Sequence, residues 1–317
     1  LDEPLLGENF IVQGCRYNDT WQGYVYNDIA GEWLGEYIDA RAGLDNLLLF
    51  EDLMVAWKEN KPYNATVWAY SSQADGIQSK AFTFPGDRFT VQAADKAGYI
   101  IAPGKNYLYN DVYVFNALKG VWSDQYEVTS STRFDLFATG HTAIFLQWIG
   151  QLNGTDKWLA HGYSALKDAW DTFEFLSNDV TGVFTSDFCG LIPYCHWYNT
   201  STRFMKAFNG IDAEWADDVV SMYHTKLAGV QMNDRIMMVL EDGSNLDNYA
   251  KAHMFSPFLN KWTSTSFTNS YDFEGYHSTP TSAFAWDGHE FKIIYSDAIS
   301  WATKPGRLDE LHVTDYA

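Results

Sequence analysis

Cysteine, proline and positive charge are all scarce in this sequence, and each scarcity closes off a class of protein. Three cysteines in 317 residues cannot supply a disulfide scaffold. Eight prolines, with no Pro-rich or Ser-rich tract and no charge block, leave no recognisable linker, so a single domain over 1–317 is expected. Lys and Arg total 21 against 41 acidic residues, a net charge of −20 that repels a phosphate backbone and argues against a nucleic-acid partner. No apolar run reaches the ~18 residues of a membrane-spanning helix. Neither HExxH nor CxxC occurs, so no metal is expected, and the absence of GxSxG, SxxK and Gly-rich phosphate loops leaves no motif for a cofactor. The run Glu241-Asp242-Gly243-Ser244-Asn245-Leu246-Asp247 alternates oxygen ligands but lacks the rest of a calcium-loop spacing, and reads as a hairpin turn.

Aromatic residues are abundant instead: 13 Trp, 20 Tyr and 21 Phe. They are also periodic. Tyr26, Phe115, Tyr163, Phe208 and Phe255 are each followed seven positions later by a tryptophan: Trp33, Trp122, Trp170, Trp215 and Trp262. Asn or Ser follows each aromatic, and a Gly, Asp or Asn further on supplies turn chemistry. The last four tryptophans lie 48, 45 and 47 residues apart, and the first gap, 89, holds a drifted copy over Val67–Phe82 that lacks the Trp. Short strands repeating every forty-odd residues predict an all-β fold, a β-propeller of four-stranded antiparallel blades. Six or seven blades fit, and seven uses the whole chain.

The third strand of each blade is expected to carry the aromatic and the fourth to begin at the Trp. First strands are expected near Leu47, Thr90, Asp135, Phe184, Leu227 and Thr281, and second strands over 53–58, 99–104, 142–148, 235–242 and 291–297. Four N-glycosylation sequons begin at Asn18, Asn64, Asn153 and Asn199, lying 8, 6, 10 and 9 residues before the aromatic of their own repeats. All four fall in the turn between second and third strands, which implies a secretory, extracellular protein. A chain beginning at Leu1 without Met is the expectation for a processed form. Cys189 and Cys195 flank Gly-Leu-Ile-Pro-Tyr, read as a tight hairpin closed by a disulfide, with Cys15 a buried thiol.

Chemistry is expected where blade turns converge. Arg88 and Arg133 stand 45 residues apart, each entering a first strand, with Arg41 a looser third. They could present cations to a carboxylate, enolate or polarised carbonyl, or pair with Asp87 and Asp135. His141 ends a first strand, Tyr276 and His277 precede one, and Trp286 lies on one. His196 lies in the Cys-bounded segment.

The Trp-ended repeats resemble the fungal fucose-specific lectin superfamily of β-propellers. Such lectins bind fucose between blades through a recurring Arg, Glu and aromatic residue, and no such set recurs regularly here. Loss of repeat symmetry, size and sequons are similar to a branch of that group, the hetero-Diels–Alderases of tropolonic sesquiterpenoid biosynthesis. That resemblance implies a cofactor-independent pericyclase joining a tropolone o-quinone methide to a humulene-type alkene, with small apolar polyketide or terpenoid partners. No residue role is carried over from that branch; from blade position alone, Arg88, Arg133 and His277 are the candidates to polarise the carbonyl, and Tyr276, Trp286 and His141 to line the pocket. The alternatives are a glycan-binding lectin and a propeller polysaccharide lyase or glycosidase.

Overall fold

The computed structural model describes all residues except 1–2, 42, 61–63, 85–88, 104–108, 125, 130–133, 181, 197–198, 224–226, 244–248, 268–271, 299 and 306–317. The chain divides into two compact units, Leu1–Arg133 with Ala138–His141, and Phe134–Phe137 with Thr142–Ala317. Among the described residues there are strands and turns but no helix.

Three sheets belong to the first unit. The first is β1 (Leu5–Leu6), β2 (Phe10–Tyr17), β3 (Thr20–Asn27) and β4 (Glu32–Arg41). The second is β5 (Asn46–Leu49), β6 (Leu53–Asn60), β7 (Asn64–Ser71) and β8 (Gly76–Thr83). The third is β9 (Thr90–Ala94), β10 (Ala97–Pro103), β11 (Tyr109–Asn116) and β12 (Val121–Trp122), with β13 (Tyr126–Thr129) also pairing β11.

Four sheets follow. The fourth is β14 (Phe134–Thr139), β15 (Thr142–Leu152), β16 (Thr155–Ser164) and β17 (Ala169–Leu176), so the unit boundary falls inside β14 and not in a linker. The fifth is β18 (Phe184–Thr185), β19 (Cys189–His196), β20 (Asn199–Asn209) and β21 (Glu214–Tyr223). The sixth is β22 (Leu227–Asn233), β23 (Ile236–Glu241), β24 (Lys251–Ser256) and β25 (Lys261–Ser266), and the seventh is β26 (Gly275–Ser278), β27 (Ser282–Trp286), β28 (Glu290–Tyr295) and β29 (Ala302–Pro305). Among the described residues the strand pairings are antiparallel and follow chain order, apart from β13, which pairs β11. The fold is a β-propeller, and its seven sheets match the seven-blade expectation.

The aromatic-to-Trp spacing has a direct geometric cause. Tyr26, Phe115, Tyr163, Phe208 and Phe255 lie opposite Trp33, Trp122, Trp170, Trp215 and Trp262 in the third-to-fourth strand register. Their rings sit 4.8 to 5.5 Å apart at inclined angles, the favoured arrangement for a cross-strand aromatic pair. In the drifted repeat the pair is Tyr70 opposite Ile77. Two positions before the Trp or its replacement, the chain turns left-handed every time: Gly31, Asp75, Gly120, Asp168, Ala213 and Asn260 have φ between 47° and 74°. That explains the Gly, Asp and Asn there, and makes Ala213 the exception.

The Asn or Ser after each aromatic does two jobs. Asn27 Oδ1 accepts the Ile29 and Ala30 N–H groups, and Asn209 Oδ1 accepts those of Ile211 and Asp212, shaping the turn. The same side chains reach the next sheet. Asn209 donates to the Pro257 carbonyl at 2.9 Å, and Ser71, Ser164 and Ser256 donate to the carbonyls of Ala117, Gly210 and Ser296. Apolar cores fill the space between successive sheets of each unit. Phe10, Val12, Met54 and Tyr70 pack between the first two, and Met205, Met222, Met237 and Phe255 between the fifth and sixth. Asp52, in the β5–β6 turn, ties three sheets together by accepting from Asn9, Ser72, Gln73 and Lys96. Burial alone would raise its carboxyl. The hydrogen bonds from Lys96, Ser72 and Asn9, with the Lys96 charge, outweigh burial and hold it below the usual carboxylate range.

Three expectations are corrected. Thr281–Gly288 does not hold a first strand. Gly275–Ser278 pairs with it as β26, which makes β27 the second strand and 291–297 the third. The proposed Cys189–Cys195 disulfide does not form, and all three cysteines are free thiols. The segment between them is no hairpin but the continuous strand β19, with Cys189 opposite Asn209 and Cys195 opposite Arg203. Six strand steps separate the two residues by roughly 20 Å, well beyond disulfide reach. Cys189 is buried against Ser186, and burial pushes its thiol up to about 12. Cys15, expected to be buried, is half-exposed.

Candidate functional site

Two hollows lie side by side where β4 of the first sheet runs past β8 of the second. One encloses about 560 Å³ and the other about 590 Å³, and Gly35, Glu36 and Gln78 line both, so they form one groove. One wall is β4, with Glu32, Trp33, Glu36 and Tyr37. Trp68, Asp75, Ile77, Gln78 and Ser79 make the other.

The drifted repeat explains the opening. In the fifth sheet Trp215 occupies the position that Ile77 holds in the second. Its indole Nε1 donates to the Asp171 carbonyl of β17 at 3.2 Å, its backbone N–H donates to the Asp171 carboxylate at 2.8 Å, and its ring lies 5.7 Å from Phe173. There the indole bridges neighbouring outer strands. Ile77 is too short and has no side-chain N–H to bridge to β4. A bulge adds to the effect. Tyr26 pairs Trp33 and Tyr24 pairs Tyr37, so one β3 residue faces the three β4 residues Leu34, Gly35 and Glu36. A Cβ on Gly35 would meet nothing within 4 Å.

Aromatic surface stands open along this edge. Trp33 is 56% exposed and Tyr37 45%, and Tyr37 stacks on Tyr24 with ring centroids 5.4 Å apart. Glu32, Glu36 and Asp75 supply carboxylates. Asn27 Nδ2 donates to Asp75 at 2.7 Å, fixing that turn against the first sheet. Among the described residues lining the groove there is no Lys or Arg. The arrangement can stack a ring face and accept several hydroxyl or ammonium donors.

The residues singled out from sequence are distributed elsewhere. Arg88 and Arg133 lie outside the described residues, as do 244–248 of the acidic run. Arg41 ends β4, exposed. His141 sits half-buried in the β14–β15 turn. Tyr276 and His277 are consecutive on β26 and face opposite ways. Tyr276 packs into the core between the sixth and seventh sheets, whereas His277 meets the Phe284 ring edge-on at 5.7 Å. Trp286, on the second strand and not the first, stacks with Phe284 at 5.8 Å and with Phe291 at 6.4 Å. The structure therefore brings His277 and Trp286 to one sheet face and puts Tyr276 on the other. Asn18, Asn64 and Asn153 are exposed, and all four sequon asparagines lie at the turn between second and third strands. Glu32, Trp33, Glu36, Tyr37 and Gln78 were not singled out as site residues. Their signal was the missing Trp at Ile77, which unseals a neighbour one repeat earlier.

No protein-family model matches the chain, and no curated protein matches it in sequence. Among solved structures it is similar to one of two prolyl endopeptidases, at 15% identity over 94% of this chain and 46% of that one, with a TM-score of 0.36. It thus spans about half that peptidase's length. It is also similar to the β-propeller domain of the Trilobed protease from Pyrococcus furiosus, at 7% identity over 96% of this chain and 94% of that one, TM-score 0.35. A protein of unassigned function from Listeria monocytogenes aligns at 7% identity over 98% and 96%, TM-score 0.35. Likeness at this level says nothing of substrate or activity.

Proposed function

We propose that this β-propeller binds glycans in the groove between β4 and β8. The observation that carries the reading is the exposed Trp33 and Tyr37 beside the carboxylates of Glu32 and Glu36. The apolar face of a pyranose stacks on an aromatic ring while its hydroxyls donate to carboxylates and to the Gln78 amide oxygen. Three carboxylates without a lining cation disfavour uronic and sialic acids and favour neutral or amino sugars. The exposed sequon turns support a secretory glycoprotein. The test is an array of neutral, fucosylated, amino and acidic oligosaccharides. Binding to the first three groups is expected, and Trp33→Ala should weaken it at least about tenfold with the melting temperature unchanged. Undiminished binding by the variant would sink this reading.

A second reading is the cofactor-independent hetero-Diels–Alderase. Its support is the shared face of His277, Phe284, Trp286 and Phe291, an aromatic platform with a hydrogen-bonding imidazole at one end. Stacked reactants need only alignment and a donor on the heterodiene oxygen. The check is product formation above background from a tropolone o-quinone methide and humulene. His277→Ala and Trp286→Ala should each lower it, and equal rates with and without protein would exclude it.

A further inference from the structure

Three neighbouring strands of the sixth sheet bring together a serine, a histidine and a glutamate. His253 on β24 lies opposite Val239 on one side and Ser264 on the other, and Glu241 follows Val239 by two residues on the same face. Ser264 Oγ is 2.7 Å from His253 Nδ1, and Glu241 Oε2 is 3.4 Å from His253 Nε2. His253 and Glu241 are buried, at 5% and 3% exposure, while Ser264 stands exposed on the last strand of the sheet. With a carboxylate accepting at Nε2, the ring proton sits there and Nδ1 is left to accept the Ser264 hydroxyl.

The fourth sheet carries the same lattice in neutral form. His161 stands two residues before Tyr163, as His253 stands two before Phe255. It lies opposite Phe145 and Thr172, and its Nε2 is 3.0 Å from Gln147 Oε1, with Gln147 two residues beyond Phe145. The frame is therefore satisfied by Gln and Thr at these places. A buried carboxylate costs more to desolvate than a buried amide, so Glu241 is the costlier residue at this place.

We propose that Ser264, His253 and Glu241 form an acyl-transfer site for small esters, independent of the glycan groove. Ser264 Oγ bonds to the acyl carbon while its proton passes to His253. The ester C–O bond then breaks, and the departing alkoxide takes that proton and leaves as the alcohol. Water, deprotonated by His253, then cleaves the acyl–Ser264 ester, releasing the carboxylic acid and restoring the hydroxyl. Glu241 is a positioning residue that holds the ring and stabilises the imidazolium. Among the described residues β25 is the last strand of its sheet, and the outward N–H groups of an edge strand can face an oxyanion.

The test is labelling of the full chain with a fluorophosphonate, followed by peptide mapping, alongside hydrolysis of p-nitrophenyl acetate. One adduct on Ser264 is expected, and Ser264→Ala should abolish both adduct and hydrolysis. Glu241→Gln recreates the fourth sheet's Gln–His pair, so it should fold with an unchanged melting temperature yet label at least about tenfold more slowly. An unlabelled Ser264, or labelling as fast in Glu241→Gln as in the parent, would overturn the proposal.

Discussion

Asn27 Nδ2 donates to the Ser72 carbonyl at 2.9 Å, joining the end of a third strand to the same place in the following sheet, 45 residues on. Its Oδ1 simultaneously shapes its own turn. The first repeat thereby grips the second through the residue that follows its aromatic. Ser71, Ser164, Asn209 and Ser256 repeat the grip.

Removing that grip leaves buried partners unsatisfied. Asn27→Ala is expected to cost about 2–4 kcal/mol, since a 1%-exposed amide loses two donor bonds to the next sheet and two acceptor bonds in its turn. Asn27→Ser should recover part of the loss, because Ser71, Ser164 and Ser256 perform this role in other repeats. Urea unfolding of both variants measures the difference.

Ala213 holds the left-handed turn position at φ 61° that Gly, Asp or Asn holds elsewhere. Ala213→Gly should stabilise the chain by about 1 kcal/mol, the relieved strain exceeding the entropy gained by the unfolded chain. A lower denaturation midpoint than the parent would contradict this.

Burial pushes the His161 imidazole down to about 4 from an ordinary 6.5. The unfolded chain therefore binds a proton that the folded chain resists between those values. Stability is fully present above pH 6.5 and is lost as pH falls toward about 4, by up to about 3 kcal/mol from this group. His161→Gln should flatten that part of the stability–pH curve relative to the parent, measured by denaturation at about pH 7, 5.5 and 4.5.

Ile77→Trp restores the indole that bridges outer strands in the fifth sheet. It should fill the β4–β8 groove and abolish glycan binding while leaving stability equal or slightly higher. Crystal soaking with an oligosaccharide and calorimetric titration of the variant check both parts.

Most of the repeating frame was legible in the chain. The pairing of Tyr163 with Trp170 or Phe255 with Trp262 spans one hairpin, and hairpin chemistry lies within a few adjacent residues. The seventh sheet escapes a linear reading because its third-to-fourth register joins Ile293 to Ala302, with no aromatic–Trp pair in that register among the described residues. The cysteine segment misleads because Pro193 suggests a turn, whereas it pairs with Met205 inside β19.

The sequence by itself therefore determined the period and, outside the fifth and seventh sheets, the strand order and the turn positions, since these are set by neighbours along one hairpin. Only the tertiary structure decided that Ile77 leaves a groove against β4 and that Glu241, His253 and Ser264 converge. Both depend on cross-strand register and on what an adjoining sheet supplies, and residues so brought together share no local pattern that a linear reading can detect.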